Sequence, residues 1–412
     1  MRGWGAFDLG GTRVAPGDSA DIRLQVSESY TAEAVAVPVT VVRGARPGPT
    51  LYLTASIHGD ELNGVGIVRD LLNDAPFADL AGTLVAVPVA NVPAFLNQDR
   101  RLPDRRDLNR SFPGSPRGSL TSRLAHALFT EVVAKSDFGI DLHTAGGDRS
   151  NYPHVRVDAN DPPSRELARA FGCPLLVHGV GPDRSLRRAA RAAGVPTIVY
   201  EAGSPRRLER PFIEVGKRGV LNVMRHLGML PGEPLPPPVL VEVREAQWLR
   251  ARAGGILDLR AELGQPLRRG ADVSVNSSPF GRERSVPPTV NVHSRMVPVI
   301  RARVESISDA RFSDQIARSR RIRFRLAAEV GYRSSEVVAL LLVVDAPDAF
   351  DQEAVGAQPA RVGGQHLEES ILGLGQPHRL PVAGHEPGLE IDLDSAGLDG
   401  ARTPGALGVA VP

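Results

Sequence analysis

The chain has 412 residues, 42% of them hydrophobic, which is more than one ordinary core holds and predicts two domains with appended material. Basic and acidic residues nearly balance at 49 against 47, for a net charge of +2, so nucleic acid is not an expected partner; one cysteine excludes an intramolecular disulfide framework and fits a reducing compartment. No apolar run approaches the roughly 20 residues needed to cross a bilayer, and Met1 to Gly5 lacks the apolar centre of a secretion signal, so the expectation is a cytoplasmic protein without a membrane partner.

Residues 1–45 read as a short β-rich lead, in which Asp21 to Val26 alternates and Val35 to Val42 forms another strand. Over residues 46–232 strands alternate with helical stretches, the pattern of an α/β domain with a largely covered sheet. Its first strand, Pro49 to Ile57, is apolar and β-prone, so His58 falls at a strand end. Leu62, Val65, Val68, Leu71 and Leu72 then repeat with a helical period, which predicts Glu61 in the first helical turn. Next come Arg100, Arg101, Arg105 and Arg106, followed by Asp107-Leu108-Asn109-Arg110-Ser111-Phe112-Pro113-Gly114, a run too dense in charge and amide groups for an ordinary turn.

A helix is predicted over Ser119 to Ala134, then a strand over Phe138 to Thr144 that ends on His143. Another helix covers Ser164 to Phe171, and a third apolar strand, Val195 to Gly203, ends on the carboxylate of Glu201. Leu235-Pro236-Pro237-Pro238 is the clearest linker, and residues 239–285 suggest a small β domain. Residues 286–412 form an atypical tail rich in Arg, Gly and Pro.

His58 and Glu61, three residues apart, with His143 far along the chain, have the layout of a mononuclear zinc hydrolase: three protein ligands and a fourth position for water. The plainer reading of the pair is that Asp60 and Glu61 complement the helix dipole and His58 is a loop residue. Three strand ends carrying His58, His143 and Glu201 would, however, converge on one edge of a sheet, where open α/β folds build their sites. Glu201 could also act as a cap before Ala202 and Gly203, and Arg100 and Arg106 read best as solvated loop residues. His126 reads as structural, Cys173 as a small buried hydrophobe, and His154, His178 and His226 match no motif.

Taken in order, His58-Gly59-Asp60-Glu61, Asp107 to Gly114, Asp141-Leu142-His143-Thr144 and Tyr200-Glu201-Ala202-Gly203 resemble the succinylglutamate desuccinylase/aspartoacylase family, relatives of the zinc carboxypeptidases. The resemblance covers roughly residues 10 to 285. It implies a zinc-carboxypeptidase-like mixed β-sheet flanked by helices, followed by a small C-terminal β domain. By resemblance His58, Glu61 and His143 are the ligands of one zinc ion, Glu201 is the general base and acid, and Arg101 polarises the scissile carbonyl, with Arg105 a competitor for that role. Asn109 and Arg110 would hold the substrate carboxylate, and Asp107 would bond the first zinc histidine from behind.

The chemistry asks for the same residue types. Zinc brings the pKa of bound water toward neutrality, a carboxylate within about 3 Å can move that water's proton to the leaving amine, and a guanidinium aimed at the developing oxyanion stabilises it. A planar guanidinium such as that of Arg110 grips a carboxylate through two parallel hydrogen bonds, and a metal-bound imidazole needs its other nitrogen held, the task expected of Asp107.

Beyond Ser278-Pro279-Phe280-Gly281 the resemblance fades into Arg311, Arg318, Arg320, Arg321, Arg323 and Arg325. All but Lys135 and Lys217 of the 49 basic residues are arginine, a bias of GC-rich coding DNA, and a shifted reading frame after about residue 282 would account for the change. The alternative is a native tail with a helix around Glu336 to Val344 and a flexible end. The reading is a zinc-dependent amidohydrolase that deacylates an N-acyl amino acid or similar small carboxylate, with a homo-oligomer left open. Its competitors are a zinc carboxypeptidase on short peptides, an esterase, and a zinc-binding protein without catalysis.

Overall fold

The computed structural model describes residues 4–28, 32, 34–147, 149–237, 240–249, 255–268, 271, 273–278 and 280, with the backbone of three further strands at 296–303, 306–307 and 339–343. The chain divides into Met1–Ala349 and Phe350–Pro412, and the second unit lies outside the described residues.

In chain order the first unit begins with β1 (Phe7–Leu9), β2 (Thr12–Val14), β3 (Ser19–Glu28), β4 (Ala34–Arg43) and β5 (Arg46–Ala55). Then follow α1 (Asn63–Asp74), β6 (Ala81–Val87), α2 (Val92–Leu96), α3 (Leu120–Glu131), β7 (Phe138–His143), β8 (Arg149–Val157) and α4 (Pro162–Phe171). Next come β9 (Leu175–His178), α5 (Leu186–Ala192), β10 (Thr197–Gly203) and α6 (Arg210–His226). Last are β11 (Val241–Val243), β12 (Glu245–Leu249), β13 (Gly255–Leu259), β14 (Pro266–Arg268), β15 (Ser274–Ser277), β16 (Met296–Arg303), β17 (Ser306–Ile307) and β18 (Ala339–Val343).

The main sheet is mixed and flanked by helices. Its centre runs β8, β10, β7, β5, β6, β4, β3, with β10, β7, β5 and β6 parallel to their neighbours in that group and β8, β4 and β3 antiparallel at the flanks. Period-two alternation sorts the side chains. Leu51, Leu53 and Ala55 of β5, Ile140 and Leu142 of β7, and Ile198, Tyr200 and Ala202 of β10 face one core, against Ile67 and Leu71 of α1, Phe171 of α4 and Val220 of α6. Tyr52 joins the opposite core with Leu124 and Leu128 of α3 and Leu186 and Ala190 of α5. Asp141, His143 and Glu201 occupy the alternate positions, so they fall on the α3 and α5 side, with Glu201 in register with His143.

Two local expectations shift. Helix α1 begins at Asn63 with Leu62 as its cap residue, so Glu61 lies in the turn before the helix and not within its first turn. The reason is local: Asn63 donates to Ala202 O (3.1 Å) and accepts from Glu209 N (2.8 Å), which ties the start of α1 to the end of β10 and the start of α6. The helix considered around Glu336 to Val344 is, where described, a strand. The short apolar run Ala339 to Val343 pairs with β12 on one side and β16 on the other, and short apolar runs are decided by their neighbours more than by propensity. The suggested reading-frame change concerns a region most of which lies outside the described residues. No helix among the described residues is long and apolar enough to cross a membrane.

Candidate metal centre and active site

The loop after β5 carries His58 and Glu61 into the site through a backbone that leaves the common regions. Ser56 has φ 53°, a left-handed conformation unfavourable for a side-chain-bearing residue and typical of functional loops. Its hydroxyl donates to His58 O at 3.2 Å. Gly59 is required by close approach, since a Cβ there would overlap the backbone carbonyl of Ala94 in α2. Farther along, the end of β7 supplies His143, whose strand neighbours hold it level with the loop.

His58, Glu61 and His143 are buried, and one ligand atom from each lies within 4.8 Å of the others. Glu61 is the hub: its Oε1 lies 2.7 Å from His58 Nδ1 and its Oε2 lies 2.8 Å from His143 Nδ1. Thr144 N also donates to Oε2 (3.1 Å). Both imidazoles turn Nδ1 inward and Nε2 toward an outer carboxylate. For His58 that partner is Asp107 Oδ1 at 3.3 Å, and for His143 it is Asp141 Oδ2 at 2.7 Å. Asp141 is itself fixed by Thr54, whose hydroxyl donates to Oδ1 at 2.8 Å. A carboxylate on the outer nitrogen fixes the tautomer and raises the basicity of the inner one, as metal-ligating histidines require.

The electrostatics ask for added positive charge. Burial alone would push the Glu61 carboxyl up, but the charges of His58 and His143 and their hydrogen bonds hold it well below its usual range. At Asp107, too, burial is overcome, by His58 and then by Arg100 and Arg110, and the carboxyl is held well below its usual range. Burial would lower both histidines, yet Glu61 and Asp107 raise His58, and Asp141 and Glu61 raise His143 well above 6.5. Three carboxylates, Glu61, Asp107 and Asp141, thus surround two imidazoles with one guanidinium, Arg100, beside them. Two imidazole nitrogens and one carboxylate on a buried inner face, backed by two further carboxylates, are a donor set that fits a divalent cation such as zinc. Asp60, also buried, has a raised carboxyl pKa, through burial first and Glu61 second.

The structure separates the neighbouring arginines. Arg101 is exposed, and its backbone N–H donates to Asp99 Oδ1; Arg105 is exposed as well. It is Arg100 that turns inward, with Nη2 donating to Asp107 Oδ2 (3.1 Å) and Nη1 lying 3.3 Å from His58 Nδ1 and 3.5 Å from Glu61 Oε1. The loop after β7 runs beside it, with Gly146 next to its Nη1. Asn109 accepts from Leu186 N at 2.9 Å, pinning the start of α5, and Arg110 is exposed with Nη1 on Asn109 O at 2.6 Å. Asp107 starts the short helix Leu108–Arg110, accepting from Asn109 N at 2.8 Å.

Glu201, on β10 beside His143, is only 14% exposed. Asn151 Nδ2 donates to its Oε2 at 2.6 Å, and Arg156 Nε lies 2.7 Å from its Oε1. Sequence reasoning read Arg100 as a solvated loop residue, which its contacts with Asp107, Glu61 and His58 correct, and passed over Asp141, Asn151 and Arg156. For Asp141 a signal existed: residues two apart on a strand share a face, so Asp141 had to sit on the side of His143.

The family model for the succinylglutamate desuccinylase/aspartoacylase catalytic domain matches residues 47–227. The chain is 31% identical over 262 residues to the N-alpha-acetyl-L-2,4-diaminobutyric acid deacetylase of Halomonas elongata, a match covering 60% of this chain and 76% of that one. Among solved structures, a succinylglutamate desuccinylase/aspartoacylase from Rhodobacter sphaeroides superposes with a TM-score of 0.64 at 24% identity, covering 79% of this chain and 95% of the other. The product-bound ectoine utilization protein EutE (DoeB) from Ruegeria pomeroyi gives 0.64 at 23% identity, with 79% and 95% covered. These structural likenesses extend the common fold across the mixed sheet and its helices.

Proposed function

Because the chain belongs to the succinylglutamate desuccinylase/aspartoacylase family, we propose that it is a zinc-dependent amidohydrolase that removes the acyl group from an N-acyl amino acid or a similar small carboxylate. The observation that carries this reading is the buried group His58, Glu61 and His143 with Glu201 one strand away in register. Zinc held by those three side chains supplies an activated water at neutral pH and an electrophile for the amide oxygen.

The chain's own residues do the rest. Glu201 takes a proton from the attacking water as the new C–O bond forms, then delivers it to the amide nitrogen as the C–N bond breaks. A carboxylic acid and a free amine leave, and transfer of the acid's proton to the amine gives carboxylate and ammonium. Arg100, which lies against Glu61 and His58, is the guanidinium placed to stabilise negative charge growing on the carbonyl oxygen, a role the sequence reading gave to Arg101. Asn109 and Arg110 remain the candidates to hold the substrate carboxylate, Asn109 through its amide N–H groups, since its Oδ1 is engaged by Leu186. Asp107 and Asp141 keep the two imidazoles turned with Nδ1 inward.

The test is metal content together with hydrolysis of N-acetyl and N-succinyl amino acids and dipeptides, by wild type and Glu201→Ala. Stoichiometric zinc with deacylation lost in Glu201→Ala is the expected outcome. Preference for dipeptides would make the protein a carboxypeptidase, and zinc without turnover would leave a binding protein.

A further inference from the structure

Strand β8 runs antiparallel to β10, and a bulge interrupts their register. Glu201 lies opposite His154 and Gly203 opposite Asn151, so Tyr152 and Pro153 face the single residue Ala202. Proline suits such a position because it has no ladder N–H to lose. His154 holds the bulge from within, its Nδ1 donating to Tyr152 O at 2.8 Å.

The bulge changes which residues share a face. Asn151 and Arg156 are five apart, and on a regular strand they would point to opposite sides of the sheet. One extra residue between them restores a common face, and it is the face of Glu201. Both reach the same carboxylate: Asn151, fully buried, donates to Oε2 at 2.6 Å, and Arg156 Nε lies 2.7 Å from Oε1. The second is a charge contact more than a directed bond, since the Nε–H is not in line with an acceptor. From α5 the buried guanidinium of Arg187 adds a nearby like charge. Burial pushes it down to about 10, Arg156 acts in the same direction, and Glu201 opposes them.

We propose that the bulged strand β8 is a clamp in which Asn151 and Arg156 are positioning residues for Glu201, each fixing one oxygen of the carboxylate that moves the proton. The clamp rests on the role given to Glu201 above. Asn151 sets the plane of the carboxylate through a directed bond, and Arg156 holds the other oxygen through a charge contact while leaving the N–H direction unspent. Neither residue touches His58, Glu61 or His143 through any contact described, so the metal centre does not depend on them.

The experiment compares wild type, Asn151→Ala, Arg156→Met, Arg156→Lys and Glu201→Ala in zinc-loaded full-length protein, using the best N-acyl amino acid of the panel. Arg156→Met and Asn151→Ala should each lower kcat by about 100-fold, the loss that a misplacement of about 1 Å can produce. KM and zinc stoichiometry should stay at wild-type values, and Arg156→Lys should recover most of the rate. Wild-type kcat in Arg156→Met, with Glu201→Ala inactive, overturns the clamp and leaves the base in place. Full activity in Glu201→Ala removes the base and the clamp together. A loss of rate that tracks zinc loss or a raised KM, and is not recovered by lysine, overturns positioning in favour of a scaffold or substrate contact.

Discussion

Replacing Asp141 by asparagine isolates what an outer carboxylate contributes to the centre. The side chain is buried, 2.7 Å from His143 Nε2 and 2.8 Å from the Thr54 hydroxyl. Asparagine has the same shape, can still accept from one partner and can donate to the other, so the geometry survives while the charge goes. Losing such a partner lowers metal affinity by about 10- to 100-fold, or about 1.4 to 2.8 kcal/mol at a factor of ten per 1.4 kcal/mol. Asp107 provides the internal comparison, because its contact with His58 is longer, at 3.3 Å, and its charge is already shared with Arg100. Asp107→Asn should therefore lose less affinity than Asp141→Asn. Asp141→Ala should add instability of the metal-free fold, about 1 to 3 kcal/mol, by leaving buried polar groups without a partner. Competition against a chromophoric zinc chelator gives the affinities, and urea unfolding of the metal-free proteins gives the stabilities. Zinc affinity of Asp141→Asn within threefold of wild type, or below-wild-type affinity only in Asp107→Asn, would falsify the ordering.

Zinc affinity should fall with decreasing pH from well above 6.5, because the metal-free pKa values of His58 and His143 are raised. The sign follows from competition: each ligand must lose its proton to bind, so protons win at a higher pH than they would against an ordinary histidine. A chelator titration between pH 6 and 8 that shows constant affinity counts against this. Arg100→Ala should reduce kcat by about 100- to 1,000-fold, as loss of an oxyanion donor does, whereas Arg101→Ala should be near wild type; the reverse pattern in steady-state rates restores Arg101. Gly59→Ala should lower both zinc content and melting temperature, since its methyl must displace the backbone of Ala94; a variant with normal zinc content refutes the close-packing argument.

The meeting of His58, Glu61 and His143 was legible because each member follows a strong local pattern. An apolar strand ends just before His58, another ends on His143, and the chemistry of zinc limits which residue types can answer one another. The centre of the sheet was legible for the same reason, since buried parallel strands read as continuous apolar runs. What could not be read was direction. Arg100 and Arg101 are adjacent and chemically identical, and which one points inward is set by a loop that passes through left-handed conformations at Gln98 and Arg105. Pro153 fits a bulge or an edge position alike, so the shared face of Asn151 and Arg156 appears only when β8 pairs with β10. The start of α1 moved for a comparable reason: Asn63 answers to Ala202 and Glu209, far away in sequence.

The two ends of the Glu61 carboxylate belong to different moments in the life of the chain. One oxygen meets His58, three residues away, and the other meets His143, 82 residues away. A nascent or unfolded chain can bring the first pair together at small entropic cost, but the second must wait until β5 and β7 lie side by side. Tight metal capture by these residues would thereby be coupled to completion of the central sheet, and ions held by a half-formed chain should exchange freely. Once the sheet closes, a metal ion held by the folded state and not by the unfolded chain would stabilise it by about 4 kcal/mol at a free concentration 1,000 times the Kd. Loaded with metal, the centre would thus act as a late lock on the fold, closing only on chains whose strands have found their proper neighbours.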